Sequence, residues 1–424
     1  MRRSQKLLVI LAIMALAMSW LLAGCGPTEG SEENAAGTWG SADGPVKIGV
    51  FEPLTGVNAA GGEMTIQGIE LARELYPEIL GMPVEVIIAN TDSDPATAAK
   101  AVQNLISKEK VHIIIGSYGS TEALAGGSIA RANQVCIIGC SPTAPAVTLD
   151  NECYFRVCFS DPFQGAVMAD FAINTLNAET AAVIRDVQND YSVSLSGSFT
   201  EAFAAVKGEE AIVATANFNS GDTDFSAQLT EINAHNPDII FAPGNYAECG
   251  ALIAQARELG MAMPMLGGDT WEAQEFLEQA APWQDIYFST HFTAEEPVTE
   301  ISAYFMEAFK AKYPEASINA FAALGFDAYT LAKDAIERAG SLERSAIHDA
   351  LAATTDFIGA TGIITLDENG DAAKTVIIKQ VKDGQFVYVA KAEPTAAPAA
   401  DASTDPDADP AAEPADPAAA EPTP

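Results

Sequence analysis

The sequence predicts an α/β fold of two lobes, each a parallel sheet covered by helices. Three observations predict it. Short apolar runs rich in β-branched residues alternate with longer helical stretches, the pattern of repeated strand–helix units. The alternation breaks near Ser160 and restarts at Ala181. About 350 residues lie between Gly44 and Ala392, more than one simple core organises well and enough for two.

Taken in order, residues 46–51 form a strand, a Gly-rich loop runs to Gly62, and residues 63–79 form a helix. A strand over 84–90 follows. Asp92-Ser-Asp-Pro95 then opens a helix to about Lys108, with Pro95 where a first helical turn accepts it. Strands are predicted at 111–115 and 135–139, and after the break at 181–186, 211–216, 238–241, 264–266 and 286–289, with helices between them. In open α/β sheets the ligand site lies beyond the carboxyl ends of the strands, so two facing lobes create a cleft.

The stretch 111–124 shows how such a site is built. Val-His-Ile-Ile-Ile is a strand buried on both faces, Gly116 to Gly119 make a tight turn, and Ser120 or Thr121 can cap the helix that follows, with Glu122 in its first turn. Free N–H groups and the positive end of a helix dipole there suit a carboxylate or phosphate. An ordinary capped strand-to-helix turn has the same local sequence.

The two ends differ from the body. Arg2, Arg3 and Lys6 precede an apolar run, 7–18, too short for a membrane span. Leu22-Ala23-Gly24-Cys25 then resembles the lipobox of bacterial lipoproteins, which implies a signal segment over 1–24, a lipid on Cys25 and an exported, anchored protein. Residues 25–44 read as a flexible tether with a reach of about 25 Å. Residues 392–424, almost all Ala, Pro, Asp, Glu and Thr, read as a disordered acidic tail. The chain has 58 acidic and 22 basic residues, an imbalance the tail explains only in part. A body this acidic argues against nucleic acid and against attraction to anionic lipid.

Short segments carry a more specific resemblance. Val-Lys-Ile-Gly-Val-Phe-Glu-Pro-Leu-Thr at 46–55 is similar to the opening of the leucine/isoleucine/valine-binding protein family. Agreeing segments follow in the same order: Asp92-Ser-Asp-Pro, Ile115-Gly-Ser-Tyr-Gly-Ser, Ser141-Pro-Thr-Ala-Pro, Gly221-Asp-Thr-Asp-Phe, Gln255-Ala-Arg-Glu-Leu-Gly, Leu266-Gly-Gly-Asp, Asp334-Ala-Ile-Glu-Arg-Ala-Gly and Thr361-Gly. The resemblance implies a type I periplasmic-binding fold, two Rossmann-like lobes joined by three crossings. Lobe 1 would take 45–159 and 291–369, and lobe 2 would take 160–290 and 370–391. It implies a binding lipoprotein that captures an amino acid or similar zwitterion and delivers it to an ABC permease, working as a monomer.

The same resemblance implies a ligand site. Ser120 and backbone near Thr121 would take a ligand carboxylate, Thr143 would lie in the second contacting loop, and Asp269 would hold the ammonium. Asp269 also stands where a helix cap could. Tyr191 and Tyr246 would cover the ligand, with Tyr118 and Trp271 as neighbours. Where some relatives carry a large aromatic, Asn58-Ala59-Ala60-Gly61-Gly62 offers only small side chains, which implies a wider pocket and leaves a branched aliphatic ligand in question.

Other chemistry has weak support. Cys136, Cys140, Cys153, Cys158 and Cys249 have spacings that invite a zinc reading, but two sit in apolar strand-like runs, and the pairing Cys140 with Cys153 is the disulfide to test. His112, His235, His291 and His348 are scattered and lack a nucleophile partner. The loop at 116–120 matches neither a nucleophile elbow nor a dinucleotide fingerprint, so the expectation is a non-enzyme without cofactor or metal. A sensory receptor module, a hydrolase on two α/β lobes, or a binding protein for an amide or aromatic acid stay open as alternatives.

Overall fold

The first sheet uses β1 (Val46–Glu52), β2 (Glu78–Ile79), β3 (Met82–Asn90), β4 (Ile113–Ile115), β5 (Ile137–Gly139) and β6 (Tyr154–Arg156), in the order β2-β3-β1-β4-β5-β6. Every pairing is parallel except the β2–β3 hairpin. The structure, a computed structural model, describes residues 44–393. Cys25, the predicted signal segment, the tether up to residue 43 and the tail beyond Glu393 lie outside them.

Helices α1 (Ala59–Leu75), α2 (Pro95–Asn104) and α3 (Ser120–Ala132) connect the first strands. α4 (Asp161–Asp170) and α5 (Asp190–Lys207) pack together beside the second sheet, with α6 (Ser226–His235), α7 (Tyr246–Glu258) and α8 (Gln274–Ala280) following. That sheet holds β7 (Ala181–Asp186), β8 (Ile212–Phe218), β9 (Ile239–Phe241), β10 (Met265–Gly267) and β11 (Ile286–Thr290). The chain then returns as α9 (Glu300–Lys312), α10 (Ala320–Ala339) and α11 (Arg344–Ala352), with the hairpin β12 (Phe357–Gly359) and β13 (Gly362–Ile364). It ends on β14 (Val376–Lys382) and β15 (Gln385–Ala392), which complete the order β15-β14-β11-β10-β9-β7-β8. The chain therefore passes between the sheets three times, after β6, after β11 and before β14.

Differences from the sequence reading have physical causes. The second sheet is mixed, because β14 and β15 are antiparallel. Asp383 and Gly384, both at positive φ, make the tight hairpin turn that joins them. β6 was not among the predicted strands, although it overlaps the strand-like run 155–159 around Cys158. α1 starts at Ala59 rather than Glu63 and stops at Leu75. Its glycines serve close approach: a Cβ on Gly61 would meet the Tyr118 ring at 2.2 Å, and one on Gly62 would meet the Pro53 carbonyl oxygen at 1.9 Å. The five described cysteines are buried and free, so the Cys140–Cys153 disulfide is not formed. Strand register explains this. Ile137 pairs with Tyr154, which sets Cys153 beside Cys136 and four residues along from Cys140. At strand rise that offset is about 13 Å, beyond disulfide reach.

The first core lies between its sheet and the pair α1–α10, where Phe305, Phe309, Phe326 and Tyr329 join Ile48, Val50 and Ile113. The two helices touch through glycine. A Cβ on Gly68 would stand 1.8 Å from the Ala322 carbonyl oxygen, and one on Gly325 would stand 2.2 Å from that of Thr65. Both obstacles are backbone, so relief requires the helices to separate. Gly68→Ala should therefore destabilise by about 1–3 kcal/mol, read as a lower urea midpoint with unchanged slope.

Candidate functional site

In both sheets the parallel strands end at the same cleft. Loops after β4 and β5 in the first sheet meet loops after β7, β9 and β10 in the second, around a cavity of about 20 Å³. Tyr118, Ser120 and Tyr191, three of the residues predicted for the site, line it. Asn58, Gly119, Glu122 and Ser141 complete the first-sheet wall; Asn189, Asn245 and Thr270 complete the other.

Each wall residue is fixed by its neighbours. Gly119, not Ser120, is the N-cap of α3. The Ser120 hydroxyl instead accepts from the Ala144 amide at 3.2 Å, and Ser141 donates to the Tyr118 carbonyl at 3.0 Å. These bonds tie the loops after β4 and β5 together. The Tyr118 ring packs on Phe321 at 4.9 Å between centroids and fills the space left by Gly61. The small loop at 58–62 thus makes room for Tyr118 and does not widen the pocket. Asn189 caps α5 by accepting from the Tyr191 amide at 3.0 Å.

The other predicted residues stand off the cavity. Thr121 bridges the cleft, its hydroxyl accepting from the Asp190 amide at 3.1 Å. Tyr246 reaches across to the backbone of Ala60, a second bridge. Thr143 is fully buried behind the wall, and its carbonyl accepts from the Asp161 amide at 3.0 Å. Trp271 stacks on Phe276 at 4.7 Å in the second core.

Asp269 is 1% exposed, directly behind Tyr191. Gln164 Nε2 donates to its Oδ1 at 3.0 Å, and His291 Nε2 lies 3.0 Å from its Oδ2. Its side chain caps no helix; Gly268 holds the N-cap of the turn it opens. Burial holds His291 below the usual histidine range despite the Asp269 carboxylate, so the ring is neutral at pH 7. A neutral ring bonded to a carboxylate carries its proton on Nε2. Its Nδ1 has no hydrogen-bond partner, and the ring stacks on Phe159 at 3.8 Å. Gln164 comes from α4 and His291 follows β11, so Asp269 is held by residues beside two of the crossings.

The crossings carry buried charge of their own. Lys374, before β14, donates to the Val157 carbonyl at 2.8 Å and to Thr361; burial pulls it down to about 8, against the pull of Asp327. Asp161 begins α4 just after the first crossing. Neither of its oxygens makes a well-formed hydrogen bond, although the Ser194 and Thr143 hydroxyls favour its ionised form. Burial dominates and pushes it up to about 7. A carboxyl raised on folding adds stability that is full below its unfolded pKa and is lost as pH rises through the folded one. Asp161→Asn should therefore be progressively more stable than the parent from about pH 4 to pH 7, by as much as about 4 kcal/mol. Melting curves of both proteins across that range test it; a constant difference would remove the effect.

A larger groove of about 460 Å³ opens near the third crossing, between Glu296, Gly362, Lys374 and Lys391. No parallel strand of either sheet ends there. The strand-end cleft, though smaller, is where the convergent polar groups lie.

This arrangement matches known proteins over nearly the whole body. The family model described as Periplasmic binding protein matches residues 45–385. The chain belongs to that family. A leucine binding protein LivK from Thermotoga maritima is 41% identical, with a TM-score of 0.79 over 82% of this chain and 99% of that one. The branched-chain amino acid transporter substrate binding protein LivJ from Streptococcus pneumoniae, solved with isoleucine, is 32% identical, with a TM-score of 0.77 over 82% and 100%. A Leu/Ile/Val-binding protein homolog from Brucella melitensis is 29% identical over 81% of this chain and 93% of its own. This periplasmic binding protein is thus an extracytoplasmic solute-binding protein of the branched-chain amino-acid transporter group and not an enzyme. Among the described residues no helix is long and apolar enough to cross a membrane.

Asn58, Glu122, Ser141, Asn189, Asn245 and Thr270 were not singled out from sequence. A signal existed for two of them: Asn189 and Asn245 each sit between a predicted strand and a helix, where an Asn side chain faces the cleft.

Proposed function

We propose that this protein captures an α-amino acid or similar small zwitterion between its lobes and presents the closed form to an ABC permease. The observation that carries this is the meeting of strand-end loops from both sheets around one cavity. In this reading Ser120 and the N–H groups at the start of α3 receive the carboxylate, and Asp269, behind Tyr191, receives the ammonium. Tyr191 and Tyr246 cover the ligand, Tyr118 and Thr143 shape the first wall with Thr121 beside them, and Trp271 backs the second wall from the core behind it. The relatives named for leucine and solved with isoleucine support an amino-acid ligand.

A 20 Å³ cavity holds about one water, so an amino acid enters by separation of the lobes. The moving bodies would be 45–159 with 291–369, and 160–290 with 370–391. Ligand then stabilises the closed form by its differential affinity for it. We further propose that a lipid on Cys25 anchors the protein as a monomer on the extracytoplasmic face.

Calorimetric titration tests the ligand class, after any co-purified ligand has been removed by partial unfolding. Micromolar or tighter binding of one α-amino acid, absent for its des-amino analogue, supports the reading. Binding only of a ligand without an ammonium would keep the transport role and remove the zwitterion.

A further inference from the structure

The cavity wall points to a narrower ligand class, on the amino-acid reading above. Every side chain on it carries an amide, a hydroxyl, a phenol or a carboxylate, and no Val, Leu, Ile, Met or Phe lines it. The zwitterion's own charges account for Ser120, Tyr191 and the Asp269 behind it. Additional polar groups remain. Asn58 is 6% exposed and donates from Nδ2 to Glu122 Oε1 at 3.3 Å, which orients its amide and leaves Oδ1 buried with no partner. Glu122 is 4% exposed, beside it. Burial pushes its carboxyl up, although its own backbone amide and Asn58 favour the ionised form, and in either form it keeps a lone pair to accept with. The Tyr118 hydroxyl is likewise buried without a partner. Neither lysine nor arginine lines the cavity.

The wall therefore presents two neighbouring acceptors, Asn58 Oδ1 and the Glu122 carboxyl, beside a Tyr118 hydroxyl that can donate or accept. A branched aliphatic side chain would desolvate them and satisfy none. A side chain carrying N–H groups would satisfy Asn58 Oδ1 and Glu122 together, while a carboxylate side chain would leave Asn58 Oδ1 without a donor and stand against the Glu122 carboxyl. We propose that the ligand is an amino acid whose side chain ends in N–H donors, an amide or a cation. A site built to hydrogen-bond a ligand group discriminates strongly against analogues lacking it.

The test is titration of the purified protein, freed of co-purified ligand, with glutamine, arginine, leucine and isoleucine. Glutamine or arginine should bind at least tenfold tighter than either aliphatic amino acid. Asn58→Leu should shrink that ratio by tenfold or reverse it; the Asn58 side chain caps no helix, so α1 keeps its start. Leucine or isoleucine binding tightest, or a ratio unchanged in Asn58→Leu, would overturn the inference and leave the amino-acid reading intact. Failure of all four, with binding of a ligand that is not an amino acid, would overturn both.

Discussion

Arg156→Met should destabilise the protein by about 2–4 kcal/mol, because it removes a fully buried guanidinium from its ion pair with the half-buried Asp371 and strips two carbonyls of their charged donor. Arg156 is fully buried in β6. Its Nε donates to Asp371 Oδ1 at 2.7 Å, and its Nη1 donates to the carbonyls of Pro142 and Ala144 at 3.0 and 2.9 Å. Nη2 reaches the Thr148 hydroxyl at 3.3 Å. One guanidinium thus joins the loop after β5, which forms the cavity's first wall, to the third crossing. Its planar fork is what lets one side chain serve these directions at once, so Arg156→Lys should recover only part of the loss. The readouts are urea midpoints for both variants and ligand affinity in conditions where they stay folded. Affinity should fall as well, since the loop loses its anchor. A methionine variant within 1 kcal/mol of the parent would show that repacking around Asp371 suffices.

The fold was largely legible because its strands are buried on both faces. Runs such as 111–115 and 181–186 are apolar without alternation, and that pattern survives translation into β4 and β7. What failed was local chemistry set by distant atoms. Gly61 and Gly62 read as loop because helices avoid glycine, yet Tyr118 and Pro53 need the space their missing Cβ atoms leave. Ser120 read as a cap, but the Ala144 amide from another loop claims its hydroxyl. Cys140 with Cys153 was the disulfide to test, with the pairing open, and only the β5–β6 register shows which cysteines are neighbours.

The site was legible in a similar way. Tyr118, Ser120 and Tyr191 sit at strand ends, where topology alone places cleft residues. Asn58 and Glu122 could not be read as a pair, because 64 residues separate them and each has a plausible local role in a helix start. Trp271, by contrast, lies close to Asp269 in sequence and still turns away into the second core, where Phe276 covers it. Sequence proximity to Asp269 says little about which face a side chain takes.

Asp269→Asn should weaken binding of an α-amino acid tenfold or more, since a charge-assisted contact to an ammonium contributes about 1.5–3 kcal/mol. Asparagine keeps the shape and one acceptor, so either Gln164 Nε2 or His291 Nε2 retains its partner, and the fold should persist. Asp269→Ala leaves His291 Nε2 without a partner and Gln164 Nε2 with the Ser289 hydroxyl alone, in a buried site, and should lose stability as well as ligand-dependent closure. Comparing the two separates charge from packing. A second comparison isolates the ammonium: a des-amino ligand never made that contact, so its affinity should change far less in Asp269→Asn. The pH dependence adds a further check. His291 is neutral at pH 7 because burial outweighs its carboxylate partner. Removing that carboxylate's charge lowers the histidine further, so the ring stays neutral in Asp269→Asn as well, and affinity loss should be the same at pH 7 and pH 8. Near-unchanged affinity for the amino acid would remove Asp269 as the ammonium partner and pass the role to Glu122, the one carboxylate on the cavity wall itself.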